Sequence, residues 1–145
     1  PADEAVELGA EKADKLDDLC SRSHAVTLHT PATGETEKMI GAEQLRAMGD
    51  DAVLVNTARG KCVDEAALIA ELQKGRLFAF LDVTDPEPAA DDSPLRTLPN
   101  VVLTSHIAGN ADVKIGAQAV DDVERWLNGR RPLMAPTQGE LHRLA

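Results

Sequence analysis

Three residues in this chain have side chains suited to moving a proton next to a bound carboxylic acid: Arg59, Glu87 and His106. Each lies in the loop that follows a short run of apolar, strand-forming residues, and in an open parallel sheet ligands bind outside the carboxyl ends of the strands. A guanidinium binds a carboxylate through two parallel hydrogen bonds and so fixes the neighbouring carbonyl, which the point charge of a lysine holds less firmly. An imidazole titrates near neutrality, so it can give a proton to a carbonyl oxygen and take it back. A carboxylate on the far ring nitrogen selects the tautomer and orients the ring. The set fits redox chemistry on a small 2-oxo acid, with the hydride coming from a nicotinamide cofactor because no side chain can supply one. Singly, an Arg-Gly pair, a Glu-Pro pair and a lone His are common in ordinary loops, and none carries that reading by itself.

The elements that would position these residues can be traced along the chain. Strands are expected at Ala25 to His29, Ala52 to Asn56, Leu77 to Val83 and Val101 to Thr104, alternating with helices at Leu16 to Ser21, at Ala42 to Met48 and from an Asp64 N-cap to near Gly75. Alternation of this kind builds a mainly parallel sheet. After the Leu77 strand, Asp85-Pro86-Glu87-Pro88 is expected to follow an extended path, because its prolines exclude helix. Beyond the last strand, the loop Ser105 to Asn110 leads into a long helix whose apolar positions Val113, Ala117, Val120, Val123 and Leu127 recur at three and four, with Gly129 as its stop. The fold class is α/β: a partial doubly wound, Rossmann-type, mainly parallel sheet with flanking helices.

Composition narrows the function. With 145 residues and 43% apolar content the chain supports one core, and with 2% aromatics that core must be aliphatic. A net charge of -10 without a basic stripe argues against nucleic acid and anionic membranes. The longest strongly apolar run, Leu77 to Leu81, is too short to span a bilayer, so a soluble, cytoplasmic location is expected. Cys20 and Cys62 form no paired motif and read as buried thiols. The acidic group Asp82, Asp85, Glu87, Asp91 and Asp92 reads as solvated loop charge, and no metal is expected. His24, His29 and His142 are weaker candidates than His106. Cys62, although close to Arg59 in sequence, has no feature that would activate it.

The ordered series Leu16-Asp17-Asp18-Leu19, His29-Thr30-Pro31, Glu35-Thr36, Val55-Asn56-Thr57-Ala58-Arg59-Gly60, Val63-Asp64-Glu65, Leu81-Asp82-Val83, Glu87-Pro88, Ser93-Pro94-Leu95, Pro99-Asn100-Val101 and His106-Ile107-Ala108-Gly109 resembles the D-isomer-specific 2-hydroxyacid dehydrogenases. The resemblance implies the C-terminal part of an NAD- or NADP-binding domain, with Arg59 binding substrate, His106 donating the proton and Glu87 pairing with it. It further implies cofactor contacts from Thr30, Pro31, Thr36, Thr57, Ala58, Arg59, Asp82, His106, Ile107, Ala108 and Gly109. Two positions depart from the family pattern: Ser105 stands where Pro is usual, and His24 where Asp is usual.

A third departure is an absence. None of the ten glycines lies two residues from another, so the Gly-x-Gly-x-x-Gly turn that receives a pyrophosphate is not in this sequence. The expected organisation is a partial nucleotide-binding domain over residues 1–130 and a tail over 131–145 that packs on an absent substrate domain. A fragment with little activity of its own, from a parent that is a homodimer acting on a small 2-oxo or 2-hydroxy acid, is the leading expectation. A noncatalytic NAD(H)-sensing interaction module of the same fold is the alternative.

Overall fold

The structure is a computed structural model, and it describes residues 2–109, 112–133, 135 and 137. Four short strands, β1 (Ala25–Leu28), β2 (Val53–Asn56), β3 (Phe78–Leu81) and β4 (Val101–Leu103), form one parallel sheet in the order β1-β2-β3-β4. The register pairs Ala25 with Val53, Val53 with Phe78, and Ala79 with Val101. Chain order and sheet order therefore coincide, and the carboxyl ends of all four strands lie along one edge. Among the described residues five α-helices accompany them: α1 (Ala2–Glu7), α2 (Leu16–Arg22), α3 (Ala42–Ala47), α4 (Glu65–Gln73) and α5 (Asp112–Leu127). The expected strands are all present but shorter: β1, β3 and β4 end sooner, because the residues at their tips turn into the loops that carry the site, while β2 starts one residue later and ends at Asn56 as expected.

Alternation within the strands decides which face is packed. Val26 and Leu28 of β1, Leu54 of β2, and Ala79 and Leu81 of β3 are buried with Cys20 of α2, Leu45 of α3, and Leu68 and Leu72 of α4 in one core cluster. The helices that close this face are fixed locally. Asp64 caps α4 by accepting from the Ala67 amide at 3.1 Å, as expected from the sequence. Gln44 accepts from the Gly41 amide at the start of α3 and donates to Asp17 of α2, which ties the two helices together.

The other face is open among the described residues. Phe78, Phe80 and Val102 are 43%, 47% and 47% exposed there. The helix α5 is present and ends before Gly129, whose φ of +69° fits the predicted stop. Its side chains Val120, Val123, Trp126 and Leu127 are exposed, so this part of its apolar stripe covers none of that face. β1 pairs with β2 alone and forms an edge. Most of the expected tail over 131–145 lies outside the described residues.

One local expectation is corrected. The segment Asp85 to Pro88 does not run extended: the chain bends at each of its four residues. The prolines exclude helix as expected, but they turn the chain and point Glu87 toward the loop after β4.

Candidate active site

The ladder of the sheet continues past the strand ends and sets the loops in register. The Asp82 amide donates to the Asn56 carbonyl at 2.9 Å, the Thr104 amide to Leu81 at 2.9 Å, and the His106 amide to the Asp82 carbonyl at 2.9 Å. Each loop at this edge is then held by a side chain at a strand tip. Asn56, 1% exposed, donates through Nδ2 to the Arg59 carbonyl and accepts through Oδ1 from the Ala58 amide, both at 3.0 Å, forming an Asx turn around Thr57 to Arg59.

Asp82, 4% exposed, does the same for the last loop. Its Oδ1 accepts from Thr104 Oγ1 at 2.5 Å and from the Ile107 amide at 2.8 Å, while Oδ2 accepts from the Ala108 amide at 2.8 Å. Burial opposes ionisation of this carboxyl, but the bonds from Thr104, Ile107 and Ala108, with the nearby His106, outweigh it and hold the group below the ordinary carboxylate range. The anchor also maintains a strained backbone: His106 has φ +55°, a left-handed conformation that costs a non-glycine residue roughly 1–2 kcal/mol.

In that conformation the imidazole meets the bent loop after β3. His106 Nδ1 and Glu87 Oε1 are 2.5 Å apart, an ion pair when the ring is protonated. Both side chains are about half exposed and line a cavity of about 660 Å³ over the carboxyl ends of β3 and β4. Asp82, Thr84 and Thr104 give it polar walls, Pro88, Leu103 and Ile107 give it apolar ones, and Ser105 lies beside His106. A ring nitrogen held by a carboxylate leaves Nε2 as the group that can exchange a proton with a bound ligand.

The sequence-predicted residues divide into groups. Glu87 and His106 are brought together, with Asp82 behind them. Arg59 lies on the neighbouring loop, exposed, with Nη1 folded back onto the Ala58 carbonyl at 2.7 Å, and it is not among the residues lining the cavity. Thr30, Pro31 and Thr36 share the turn after β1: Thr36 Oγ1 donates to the Pro31 carbonyl at 2.6 Å and accepts from the Thr33 amide at 2.8 Å. Thr30 Oγ1 faces the sulfurs of Met39 and Cys62, each at 3.6 Å. Thr57 and Gly109 are exposed at the same edge. Ile107 and Ala108 have their amides committed to Asp82. Among the described residues no three His, Cys, Asp or Glu side chains converge as a metal site would require, and no helix is long and apolar enough to cross a membrane.

Three positioning features escaped the sequence reading. Asn56 is legible as a polar residue ending an apolar run two residues before Ala58, the spacing of an Asx turn. Gly60 was visible only as half of an Arg-Gly pair; in the structure a Cβ there would stand 2.8 Å from the Asp85 nitrogen and closer still to the Thr84 carbonyl. Its lack of a side chain lets the Arg59 loop lie against the backbone that leads to Glu87. The hold of Asp82 on residues 104 to 108 joins positions more than twenty apart and had no local signal.

Known proteins resemble this chain in sequence and in fold. Residues 1–108 match the family model of the D-isomer specific 2-hydroxyacid dehydrogenase, NAD binding domain. Glyoxylate/hydroxypyruvate reductase B of Cronobacter sakazakii is 46% identical over 118 residues, which are 79% of this chain and 36% of that protein. The crystal structure of apo D-mandelate dehydrogenase from Rhodotorula graminis superposes with a TM-score of 0.81 at 33% identity, covering 95% of this chain and 41% of that one. A D-isomer specific 2-hydroxyacid dehydrogenase from Xanthobacter autotrophicus Py2, crystallised with NADPH and MES, superposes with a TM-score of 0.72 at 38% identity over 81% of this chain and 50% of that one. The chain thus spans between about a third and a half of the length of these relatives. The family match covers most of the chain, and the chain belongs to the NAD-binding domain family of the D-isomer-specific 2-hydroxyacid dehydrogenases.

Proposed function

We propose that this chain supplies the proton-transfer wall of an enzyme that interconverts a small 2-oxo acid and the corresponding D-2-hydroxy acid. The observation that carries the reading is the 2.5 Å pair between Glu87 and His106 inside the cavity at the carboxyl edge of the sheet. Glu87 holds Nδ1, and His106 Nε2 gives a proton to the substrate carbonyl oxygen or takes one from the hydroxyl. Arg59, swung away from the Ala58 carbonyl, binds the substrate carboxylate through its fork. A nicotinamide dinucleotide, NAD or NADP, supplies or accepts the hydride when bound.

The residues of the rim fit such a cofactor: a cavity with one polar and one apolar wall suits a ring that carries an amide, and Thr30, Pro31, Thr36, Thr57, Ala58, Arg59, Asp82 and the loop His106 to Gly109 are disposed along the same edge. The pyrophosphate cradle of such a domain is a glycine turn, and this sequence contains none. We therefore infer that residues 1–130 act as a partial nucleotide-binding domain and that the open sheet face and the edge of β1 are completed by further polypeptide, with 131–145 packing on a substrate domain. The active enzyme is then a two-domain protein, in family terms a cytoplasmic homodimer, and this polypeptide alone turns over little.

The test joins this chain to an upstream region that provides the glycine turn and substrate domain, and follows NADH absorbance with hydroxypyruvate or glyoxylate. His106→Ala is expected to lower kcat by about a hundredfold or more, the usual scale of general acid catalysis. Arg59→Ala should chiefly raise KM. Undiminished turnover in both variants would refute the assignment.

A further inference from the structure

The loop that carries Glu87 is held on both sides. On the near side Thr84 Oγ1 donates to the Pro86 carbonyl at 2.7 Å, and the Asp85 amide donates to Glu65 Oε2 at 3.0 Å. On the far side the two carbonyls after Pro88 are both bound by one side chain. Arg96 Nη2 donates to the Ala89 carbonyl at 2.5 Å and Arg96 Nε donates to the Ala90 carbonyl at 2.9 Å. Arg96 closes the Pro94–Arg96 3₁₀ turn and lines the same cavity as Glu87 and His106. Its acidic neighbour Asp91 is 3.8 Å away and fully exposed, a pair of little energetic weight.

We propose that Arg96 is a positioning residue for the proton-transfer pair: by drawing residues 89 and 90 onto the Pro94–Arg96 turn, its guanidinium holds Glu87 against Nδ1 of His106. This inference rests on the reading of His106 and Glu87 given above. Burial does not confine the Glu87 carboxylate, because its side chain is 42% exposed and that of His106 is 48% exposed. An ion pair this open is worth about 0–1 kcal/mol by itself, too little to fix one geometry. The constraint has to come from the backbone that presents the carboxylate.

That backbone leaves little slack. From Glu87 the chain passes through Pro88, whose ring fixes φ, to Ala89, which is 5% exposed and bonded to Arg96. Two consecutive carbonyls facing one side chain suit a rigid fork, and a lysine at this position could occupy only one of them at full strength. Cutting the bonds to Ala89 and Ala90 frees the far side of the loop while Thr84 and Glu65 still hold the near side. Glu87 then drifts from His106 without the fold being lost.

The chemical consequence is read in the imidazole. When Glu87 accepts from Nδ1–H, the neutral ring keeps its proton on Nδ1 and leaves Nε2 unprotonated toward the cavity. When Glu87 drifts, that preference goes. Long-range proton–nitrogen correlation spectra of the ¹⁵N-labelled chain, in alkaline buffer where the ring is neutral, report the two tautomers without any need for turnover. Failure of this inference is therefore distinguishable from failure of the functional reading.

The wild-type chain is expected to show His106 mainly as the Nδ1–H form, and Glu87→Ala marks the value without a partner. Arg96→Ala should move His106 at least half of the way to that value, with circular dichroism showing a folded chain, and Arg96→Lys should recover only part of the difference. If Arg96→Ala does not fold, Arg96→Met keeps the packing of the stem, removes the donors and is read the same way. A tautomer unchanged in the folded Arg96→Ala or Arg96→Met chain would overturn the proposal. So would full recovery in Arg96→Lys, which would assign the effect to charge instead of to the fork.

Discussion

Replacing Gly60 by alanine should separate the two loops that carry Arg59 and Glu87, and the cost can be worked from the structure. The added Cβ would lie 2.8 Å from the Asp85 nitrogen, with the Thr84 carbonyl nearer still. Against an ordinary contact near 3.5 Å, the shortfall at Asp85 alone is about 0.7 Å, and at Thr84 it is larger. Every atom in the way is backbone, so no side chain can rotate aside. Overpacking usually costs about 1–3 kcal/mol, and forced movement of two loop backbones belongs at or beyond the upper end of that range. A loss of about 3 kcal/mol lowers the melting temperature of a chain this size by roughly 6–12 °C.

The assay is urea or thermal unfolding followed by circular dichroism, because Trp126 is 68% exposed on α5 and its fluorescence would report little of the core. The matched control is Gly49→Ala: Gly49 has no neighbour within 4 Å of a built Cβ and its φ is outside the left-handed region. The control should be neutral or gain up to about 1 kcal/mol from a stiffer unfolded chain. If Gly60→Ala stays within about 1 kcal/mol of wild type, or if the control loses as much, the close approach of these loops is not what Gly60 provides.

The remaining predictions concern the same edge. Asp82→Asn should cost about 2–3 kcal/mol at neutral pH, because it weakens bonds from three donors to a charged acceptor. The folded carboxyl is depressed, so its stabilisation is complete above the unfolded value near 3.9 and disappears as pH falls through the lower folded value. The variant should therefore flatten the acid limb of stability from just below pH 4 downward, by up to about 1.4 kcal/mol per pH unit; a limb as steep as wild type in denaturation at stepped pH would contradict this. Asn56→Ala leaves the Ala58 amide and the Arg59 carbonyl without their partner and should lose about 1–3 kcal/mol in urea titrations, a loss below about 0.5 kcal/mol counting against the caging role. Phe80→Thr on the open sheet face should reduce binding of a hydrophobic dye while changing stability by less than about 1 kcal/mol, and a loss above about 2 kcal/mol would show that this face is packed in solution.

The strand–helix alternation was readable because each apolar run is short, β-type and bounded by turn residues, and the Asp64 cap followed from a local rule. Glu87 and His106 were readable as a pair because both follow strands that the parallel sheet sets side by side. The orientation of Arg59 was not readable, since a side chain that folds onto the carbonyl before it obeys no pattern in the sequence. Nor was the anchoring by Asp82, whose partners Ile107 and Ala108 lie 25 and 26 residues away. The periodicity of α5 indicates a helix with an apolar stripe, but periodicity alone does not say what meets that stripe, and from Val120 to Leu127 it is exposed. The prolines near Glu87 exclude helix by a local rule, but whether the segment between them runs straight or bends depends on contacts outside it, and in the structure it bends.

The Asp82 carboxylate also affects how this edge exchanges protons with solvent. Ile107 and Ala108 are exposed residues in an irregular loop, where amide hydrogens ordinarily exchange in seconds, yet both of their amides end on a buried anion and the His106 amide extends the ladder of β3. In deuterated buffer these three sites should stay protonated about as long as the interior of the sheet, because releasing them means opening the core end of β3. On that timescale the loop bearing the imidazole behaves as part of the sheet.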